Sequence, residues 1–228
     1  MMKGKLIAIE GSDGSGKGTQ ADELYRRLEK EGYPVRKVEF PNYRSSSSAL
    51  IQMYLEGSFG TAPGAVSPYI ASTFYAVDRY ATYKTEWEDF YLGGGIVIAD
   101  RYTTANMVHQ GAKLPPGEEQ EKYLEWLLDF EYRLFRLPPP DRVIFLDMPP
   151  EFSKKLLAER EDKKNTLGKD IHEDDSDFMV QSYYSALKMA DRYSWLRVAC
   201  VRDHKLRDIS EIHQEVYRGA VDVIDRKG

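Results

Sequence analysis

A glycine-rich turn near the start of the chain constrains the fold more than any other feature. The turn occupies residues 11–19 and reads Gly-Ser-Asp-Gly-Ser-Gly-Lys-Gly-Thr. An apolar stretch at residues 5–9 precedes it, and residues 17–31 after it have a helical pattern with Leu24 and Leu28 one turn apart. A strand, a glycine-rich turn and a helix in this order form a phosphate-binding loop, because successive backbone N–H groups and the helix N-terminus face an anion. The sequence therefore predicts a nucleotide-binding α/β fold that begins with this loop.

The residues of the loop have separate roles in holding a triphosphate. Glycines allow the sharp backbone turn, and Lys17 can reach the β- and γ-phosphates. The usual pattern has Ser or Thr directly after this lysine, where the hydroxyl binds Mg²⁺. Gly18 stands at that position and Thr19 follows it, so the metal contact passes through Thr19 or through water, and the metal ligands stay unknown. The predicted ATP-binding residues are Gly11, Ser12, Asp13, Gly14, Ser15, Gly16, Lys17, Gly18 and Thr19.

Short apolar runs alternate with helical patterns along the rest of the chain. Such alternation predicts a parallel sheet with helices on both faces, in which ligands lie beyond the carboxyl ends of the strands. The predicted strands are residues 5–9, 35–40, 96–99, 143–147 and 195–201. The predicted helices are residues 17–31, 67–92, 118–135, 152–159, 177–192 and 210–224. Functional residues are therefore expected just after Ile9, Phe40, Ala99 and Asp147.

Composition and charge argue against several other classes of protein. The chain has 228 residues, which suits one domain, and its net charge of -5 disfavours a general electrostatic grip on nucleic acid. No apolar stretch approaches the roughly 18 residues of a membrane helix, and residues 1–10 lack the apolar core of a signal peptide. The single cysteine, Cys200, cannot form an intramolecular disulfide or a Cys-x-x-Cys metal site. These features predict a cytoplasmic protein that binds neither membranes nor nucleic acid.

Three arginines stand where a second phosphate group could be held. Asp100 and Arg101 follow the third predicted strand, and Arg44 follows the second. Arg79 lies in the helix predicted at residues 67–92. Phosphoryl transfer needs cations around the transferring group, and one guanidinium group can donate to two phosphate oxygens at once. The alternatives are an ion pair within its own helix for Arg79 and a plain surface position for Arg44.

Four stretches of the chain together carry a recognisable pattern. They read E-G-S-D-G-S-G-K-G-T-Q from residue 10, F-P-N-Y-R from residue 40, F-Y-A-V-D-R from residue 74 and D-R-Y-T-T-A-N-M-V-H-Q-G from residue 100. In this order they resemble the thymidylate kinase family, over residues 5 to about 200. The resemblance implies a three-layer P-loop kinase fold, in which residues 1–228 form one domain with a five-stranded parallel sheet, helices on both faces and a short lid. It also implies a cytoplasmic homodimer that transfers the γ-phosphoryl group of ATP, with Mg²⁺, to dTMP, giving dTDP and ADP for dTTP synthesis.

The resemblance assigns phosphate-binding roles to several of these residues. Lys17 and the amides of the loop would hold the ATP phosphates, and Asp13 would face the acceptor. Arg79 and Arg101 would hold the dTMP phosphate, with Arg44 approaching it from the loop after the second strand.

The resemblance also implies a pocket for the base. Tyr75 stands where the family has an aromatic ring, usually Phe, against thymine, and Phe74 is the fallback. Asn106 and Gln110 would meet the edge of the base, which suits a pocket built from aromatic packing and a few polar contacts. The implied substrate-binding residues are Phe40, Arg44, Tyr75, Arg79, Asp100, Arg101, Asn106 and Gln110.

The polar segment at residues 159–173 resembles the mobile lid of the family, which excludes water during transfer. Some family members place a catalytic arginine in the phosphate loop and others place it in the lid. Gly14 occupies the loop position here, so Arg160 is expected to supply the cation. A solvated, charged surface loop is the alternative. The substitutes for Arg160 are Lys163, Lys164 and Lys169, and the implied catalytic set is Lys17, Asp13, Arg101 and Arg160.

Two positions depart from the family pattern. Ala105 stands where the family usually has Ser, and His109 replaces a Tyr that often crowds the ribose 2′ position. A kinase of the same fold that acts on another nucleotide or on a deoxynucleoside is therefore a second hypothesis. A catalytically silent nucleotide sensor is a third hypothesis, which the intact Lys17 and Arg101 disfavour.

Overall fold

Five parallel strands form the centre of the computed structural model, which describes residues 3–62, 64–164 and 176–225, except for the side chains of residues 160–164 and 176. The strands are β1 (Lys5–Gly11), β2 (Val35–Glu39), β3 (Ile96–Asp100), β4 (Arg142–Asp147) and β5 (Leu196–Ala199). Their order in the sheet is β2-β3-β1-β4-β5, and every neighbouring pair is parallel. The predicted fold class, a parallel sheet covered by helices, is confirmed.

Helices cover both faces of this sheet. They are α1 (Lys17–Lys30), α2 (Ala49–Leu55), α3 (Pro68–Thr82), α4 (Glu88–Leu92), α5 (Thr103–His109), α6 (Glu118–Leu128), α7 (Pro150–Lys164), α8 (Ser176–Arg192) and α9 (Ile209–Ile224). Short 3₁₀ turns lie at Ser46–Ser48 and Gly111–Lys113. Within the described ranges, no helix combines the length and the apolar character needed to cross a bilayer.

Alternating side chains of the strands fill two cores, because successive residues of a strand point to opposite faces. On β1, Leu6 and Ala8 pack into one core while Ile7 and Ile9 pack into the other, and all four are fully buried. Residues of α5, α6 and α8 complete the first core, and residues of α1 and α9 complete the second. Burial on both faces is the reason that the three central strands, β1, β3 and β4, consist of nearly continuous apolar runs.

The strand order brings the glycine-rich turn to the carboxyl edge of the sheet. In the register, Ile9 lies opposite Asp100 of β3, and Gly11 lies opposite Leu146 of β4. Glu39 at the end of β2 also lies opposite Asp100. The segments that follow β1, β2 and β3 therefore leave the sheet at the same edge, as the sequence predicts for a ligand site.

Two of the predicted helices contain a π-helical turn. The helix predicted at residues 67–92 consists of α3, the π turn Tyr83–Trp87 and α4. The helix predicted at residues 118–135 consists of α6 followed by the π turn Asp129–Leu134. A π turn adds a residue to the helical period and so changes which side chains face inward. In the second case the buried side chain is Glu131, which is 0% exposed.

The last strand and the segment near the predicted lid differ from expectation. β5 ends at Ala199, short of the predicted residue 201, and the chain continues into an antiparallel hairpin of β6 (Val201–Arg202) and β7 (Lys205–Leu206). The helix predicted at residues 152–159 is longer, because α7 extends to Lys164. Residues 159–164 of the predicted lid are thus helical in backbone, and residues 165–173 lie outside the described residues.

Candidate functional site

The glycine-rich turn forms a compact loop that leads directly into α1. The N–H of Ser15 donates to the carbonyl of Ser12 at 3.1 Å, and α1 begins at Lys17 after Gly16, whose φ is 86°. No acidic residue lies in the first turn of α1, so its N-terminal partial charge is not offset there. The hydroxyls of Ser12 and Ser15 are buried and have no hydrogen-bond partner among the described residues. Phosphate oxygens would supply those partners, so this loop suits a polyphosphate.

Gly14 is held against the start of α7. Its φ is 79°, and a Cβ added there would lie 2.5 Å from the carbonyl oxygen of Ser153 and 2.9 Å from Leu157 Cγ. Both the backbone conformation and the lack of space exclude a side chain at this position. A loop-borne arginine at residue 14 is therefore incompatible with the packing of α7.

Lys17 lies over the loop and is 7% exposed. Its Nζ donates to the carbonyl of Ser12 at 2.9 Å and lies 3.5 Å from Asp13 Oδ1. Burial lowers the pKa of Lys17, and the nearby charge of Arg101 lowers it further, although Asp13 opposes both effects. An anion bound in the loop would favour the charged form of this lysine.

An ion pair links the glycine-rich loop to the segment after β3. Arg101 donates from Nη2 to Asp13 Oδ1, and its Nη1 lies 3.0 Å from His109 Nε2. Burial would raise the pKa of the Asp13 carboxyl, but the charges of Arg101 and Lys17 outweigh burial and hold that pKa well below its ordinary value. Arg101 itself has a positive φ of 66°, a conformation that non-glycine residues adopt rarely and that concentrates at functional sites.

A cavity of about 230 Å³ opens beside this ion pair. Six of the eight predicted substrate-binding residues line it, so the structure brings these six together. They are Phe40, Tyr75, Arg79, Arg101, Asn106 and Gln110, and the other lining residues include Asp13, Tyr43, Ala105 and His109. Phe74 packs against Tyr54 and Phe59 instead, so Tyr75 is the aromatic residue of this segment that lines the cavity.

Two members of the predicted set do not line the cavity. Arg44 is exposed and lies in the loop after β2. Asp78 fixes this loop, because its carboxylate accepts from the N–H of Asn42 at 2.8 Å and from Ser47 Oγ at 2.6 Å. Asp100 is 8% exposed and lies beside the phosphate loop, since a Cβ added to Gly18 would be 3.3 Å from Asp100 Oδ2.

Arg79 is paired, but not on its own helix. Its Nε donates to Glu131 Oε2 at 2.7 Å and its Nη2 donates to Glu131 Oε1, with side-chain exposures of 2% and 0%. Burial would lower the pKa of Arg79, but the charge of Glu131 raises it above its ordinary value. Glu131 therefore compensates the charge of Arg79, which would otherwise be available to a phosphate.

Glu131 and Glu10 are two buried acidic residues that bond to residues of the site and that sequence reasoning misses. Glu10 is 1% exposed and accepts from the N–H of Tyr102 at 3.2 Å and from Thr104 Oγ1 at 2.5 Å, which ties the start of α5 to β1. Burial raises the pKa of Glu10. The only signal in the sequence is an acidic residue inside an otherwise apolar pattern, and that signal does not identify the partner.

The residues beside the loop suit Mg²⁺ bound together with a nucleotide. Mg²⁺ usually takes one or two carboxylates, phosphate oxygens and water. Asp100 places a carboxylate beside Gly18, and Thr19 is exposed next to it. No group of three or more metal-ligating side chains forms among the residues that the structure describes, so a metal here would depend on the nucleotide for ligands. The side chains of Arg160, Lys163 and Lys164, and the whole of Lys169, lie outside the described residues.

Comparison with known proteins identifies relatives of similar length. The sequence profile of the family named Thymidylate kinase matches residues 9–205. A probable thymidylate kinase from Thermococcus onnurineus is 30% identical over 218 residues, which cover 92% of this chain and 94% of that protein. The thymidylate kinase of Mycobacterium tuberculosis is 30% identical over 178 residues, which cover 78% of this chain and 81% of that protein.

Solved structures show the same fold. The thymidylate kinase of Candida albicans superposes with a TM-score of 0.67 at 23% identity, covering 95% of this chain and 90% of that one. The profile match spans the phosphate loop, the Asp13–Arg101 ion pair and the cavity beside it. The predicted resemblance is confirmed: this chain belongs to the thymidylate kinase family.

Proposed function

We propose that this protein transfers the γ-phosphoryl group of ATP to dTMP, giving dTDP and ADP. One observation carries the proposal: Asp13 joins the two halves of the site, since its carboxylate lies 3.5 Å from Lys17 Nζ and accepts from Arg101. Lys17 belongs to the phosphate loop, and Arg101 lines the cavity. A donor phosphate in the loop and an acceptor phosphate at Arg101 would therefore meet at one point, which is the geometric requirement of phosphoryl transfer.

The loop and Lys17 would hold the phosphates of ATP. The unpartnered hydroxyls of Ser12 and Ser15, the N–H groups of the loop and the N-terminus of α1 all offer donors to phosphate oxygens. Asp100 would hold Mg²⁺, with Thr19 as a further candidate ligand. The metal, when bound, would neutralise charge on the phosphate groups.

The cavity would hold dTMP with its phosphate at Arg101 and its base at the opposite end. Arg101 lies beside the loop with its side chain 19% exposed and its partner Asp13 at the edge of the loop, whereas Arg79 is 2% exposed and bound to the fully buried Glu131. We therefore assign Arg101 to the phosphate and Arg79 to the base, which changes the role that the resemblance gives Arg79. Arg44, which is exposed one residue beyond Tyr43, keeps a peripheral electrostatic role.

Aromatic and amide side chains would bind the thymine ring. Phe40 and Tyr75 line the cavity and offer ring faces or edges to a flat base. Gln110 is 1% exposed, and its Oε1 has no hydrogen-bond partner among the described residues. A donor on the nucleotide would satisfy this oxygen, because buried polar atoms are seldom left unpaired.

The catalytic cation that the loop lacks is assigned to Arg160. The close contact between Gly14 and Ser153 supports this assignment, because it excludes an arginine from the loop. A lid that closes over the site would also exclude water and so suppress wasteful hydrolysis of ATP. We expect Arg160→Ala to lower kcat, while the KM for dTMP changes little.

A second copy of this chain is the partner that we propose besides the nucleotides. On α3, Ile70, Val77 and Tyr80 are 53%, 45% and 41% exposed, at spacings that place them on one face. Leu134 is 55% exposed, and its neighbour Phe135 contacts Tyr80 with ring centroids 5.3 Å apart. This apolar stripe, formed by Ile70, Val77, Tyr80 and Leu134, suits a homodimer interface. We place the dimer in the cytoplasm, where its nucleotide substrates are present.

One assay tests the reaction. ADP formation from ATP and Mg²⁺ is measured with dTMP, dUMP, dCMP, AMP, GMP and thymidine offered separately, and Lys17→Ala reports the background. We expect turnover that depends on the acceptor and is fastest with dTMP. Preference for another acceptor would replace the proposed substrate, and binding without turnover would indicate a silent nucleotide sensor.

A further inference from the structure

Glu131 lies at the centre of a buried network below the cavity. It accepts from Arg79 through two nitrogens, from Thr103 Oγ1 at 2.6 Å, and from Asn106 Nδ2 at 3.4 Å. We propose that Glu131 is a positioning residue that sets the base preference of the monophosphate site, selecting a pyrimidine with a carbonyl beside a ring N–H over cytosine. This inference rests on the proposed function, because it concerns the acceptor nucleotide of that reaction.

The network gives the amide of Asn106 one orientation. Its Nδ2 lies 3.4 Å from Glu131 Oε1 and 3.5 Å from the carbonyl oxygen of Ser72. Neither of these oxygens can donate, since one belongs to a carboxylate and the other to the backbone. A flipped amide would place Oδ1 against these two acceptors and would lose both of the contacts that Nδ2 makes. Asn106 lines the cavity, so its Oδ1 is the atom left to accept from a ligand.

The network fixes the guanidinium of Arg79 in a similar way. Glu131 occupies its Nε and Nη2, so Nη1 is the nitrogen that Glu131 leaves for other acceptors. Arg79 lines the same cavity as Asn106. Because the ion pair is almost fully buried, the guanidinium cannot turn without leaving the carboxylate uncompensated. A ligand in the cavity would thus meet a donor, Arg79 Nη1, beside an acceptor, Asn106 Oδ1.

The base edges of thymine and uracil are complementary to this donor and acceptor, whereas the base edge of cytosine has the reverse pattern. The first two bases present the C4 carbonyl next to the N3–H, so each group meets its complement. Cytosine presents an amino group next to an unprotonated N3, so donor would face donor and acceptor would face acceptor. Buried sites reject such a reversed pattern strongly, because the polar groups on both sides stay unpaired. Glu131 therefore determines the preference without touching the base.

Glu131→Gln is the informative variant. The side chain keeps its size, but an amide both donates and accepts, so the amide of Asn106 is free to flip. We expect the kcat/KM for dTMP to fall and the ratio of kcat/KM for dTMP to that for dCMP to fall at least ~10-fold, the range that one mismatched polar contact controls. The KM for ATP should stay within about 2-fold, because the network does not contact the phosphate loop.

The conservative variant separates positioning from simple stability. Glu131→Asp keeps an acceptor-only group and should preserve the preference for dTMP over dCMP, even where its melting temperature falls as far as that of Glu131→Gln. Equal losses for dTMP and dCMP in Glu131→Gln would overturn the inference. So would a wild-type enzyme that uses dCMP as readily as dTMP, a comparison that depends on no variant. A wild-type enzyme that phosphorylates neither pyrimidine would instead overturn the proposed function.

Discussion

Lys17 Nζ is held by the carbonyl of Ser12, inside the loop that is proposed to bind phosphate. Lys17→Ala should lower kcat by at least ~10²-fold, because the lysine ammonium group stabilises the charge that develops on the transferring phosphoryl group. Steady-state kinetics with ATP and dTMP measure the effect. Lys30→Ala, on the last turn of the same helix, is the matched control and should leave kcat unchanged. A near-wild-type kcat for Lys17→Ala would contradict the role of Lys17.

Gly14 and Gly32 allow the effect of close packing to be separated from that of backbone strain. Both have positive φ, of 79° and 87°, but a Cβ would collide with Ser153 at Gly14 and meets nothing within 4 Å at Gly32. Gly14→Ala should therefore destabilise the protein by about 1–3 kcal/mol more than Gly32→Ala, the usual cost of overpacking. Urea unfolding of both variants measures this difference. Equal losses of unfolding free energy in the two variants would mean that the residues of α7 near Gly14 can move aside at little cost.

The ion pair between Asp13 and Arg101 joins the segments that follow β1 and β3. The pKa of Asp13 is lowered in the folded protein, so the pair contributes stability above the unfolded pKa of about 4 and loses it as the pH falls through the folded pKa. Asp13→Asn should therefore make the free energy of unfolding fall less steeply below about pH 4. Urea unfolding between pH 2 and 7 tests this, with Asp89→Asn as the exposed control. If the unfolding free energies of wild type and Asp13→Asn changed in parallel with pH, the ion pair between Asp13 and Arg101 would not be the source of this pH dependence.

The pair of Arg79 and Glu131 joins α3 to the π turn after α6. Arg79→Met should destabilise the protein by about 3–5 kcal/mol, because it leaves a buried carboxylate without its partner. Combining it with Glu131→Leu should recover most of that loss, since no buried charge then remains. Thermal and urea unfolding of the two variants measure both effects, and a double variant less stable than Arg79→Met would contradict the explanation.

At the level of elements, the sequence predicts what depends on local pattern. A central strand can be predicted because its residues are buried on both faces. In β1, Leu6, Ile7, Ala8 and Ile9 are all buried, so the sequence shows a continuous apolar run. Neither α2 nor α5 is predicted, because seven residues are too few to show a helical period. The predicted substrate-binding residues come from motifs in the chain, and six of the eight line one cavity. Glu131 is missed because its burial depends on a π turn and on a partner 52 residues away.

At the scale of the whole molecule, the net charge of -5 is compatible with a site for phosphates. The cations that matter, Lys17 and Arg101, are gathered at one edge of the sheet, where low exposure strengthens their field. Overall charge therefore predicts little about small anionic ligands, although it still disfavours a nucleic acid partner.

The apolar stripe on α3 provides a test of the proposed homodimer. Val77→Glu places a charge at its centre and should shift the protein from dimer to monomer, because a buried unpaired charge is costly. Light scattering after size-exclusion chromatography measures the mass. Leu92→Glu introduces the same charge on α4 at a residue that is 49% exposed and is not part of the stripe, and this variant should remain dimeric. A monomeric wild type would contradict the proposal.

The contact between Gly14 and Ser153 also restricts how this protein could evolve. A lineage that moved the proposed catalytic arginine from residue 160 into the loop would have to substitute residue 14. In this chain the substitution alone would push the loop against α7 before any benefit could arise, so α7 would have to shift first. The two arrangements are thus separated by an unfavourable intermediate, and single mutations in the loop cannot convert one into the other.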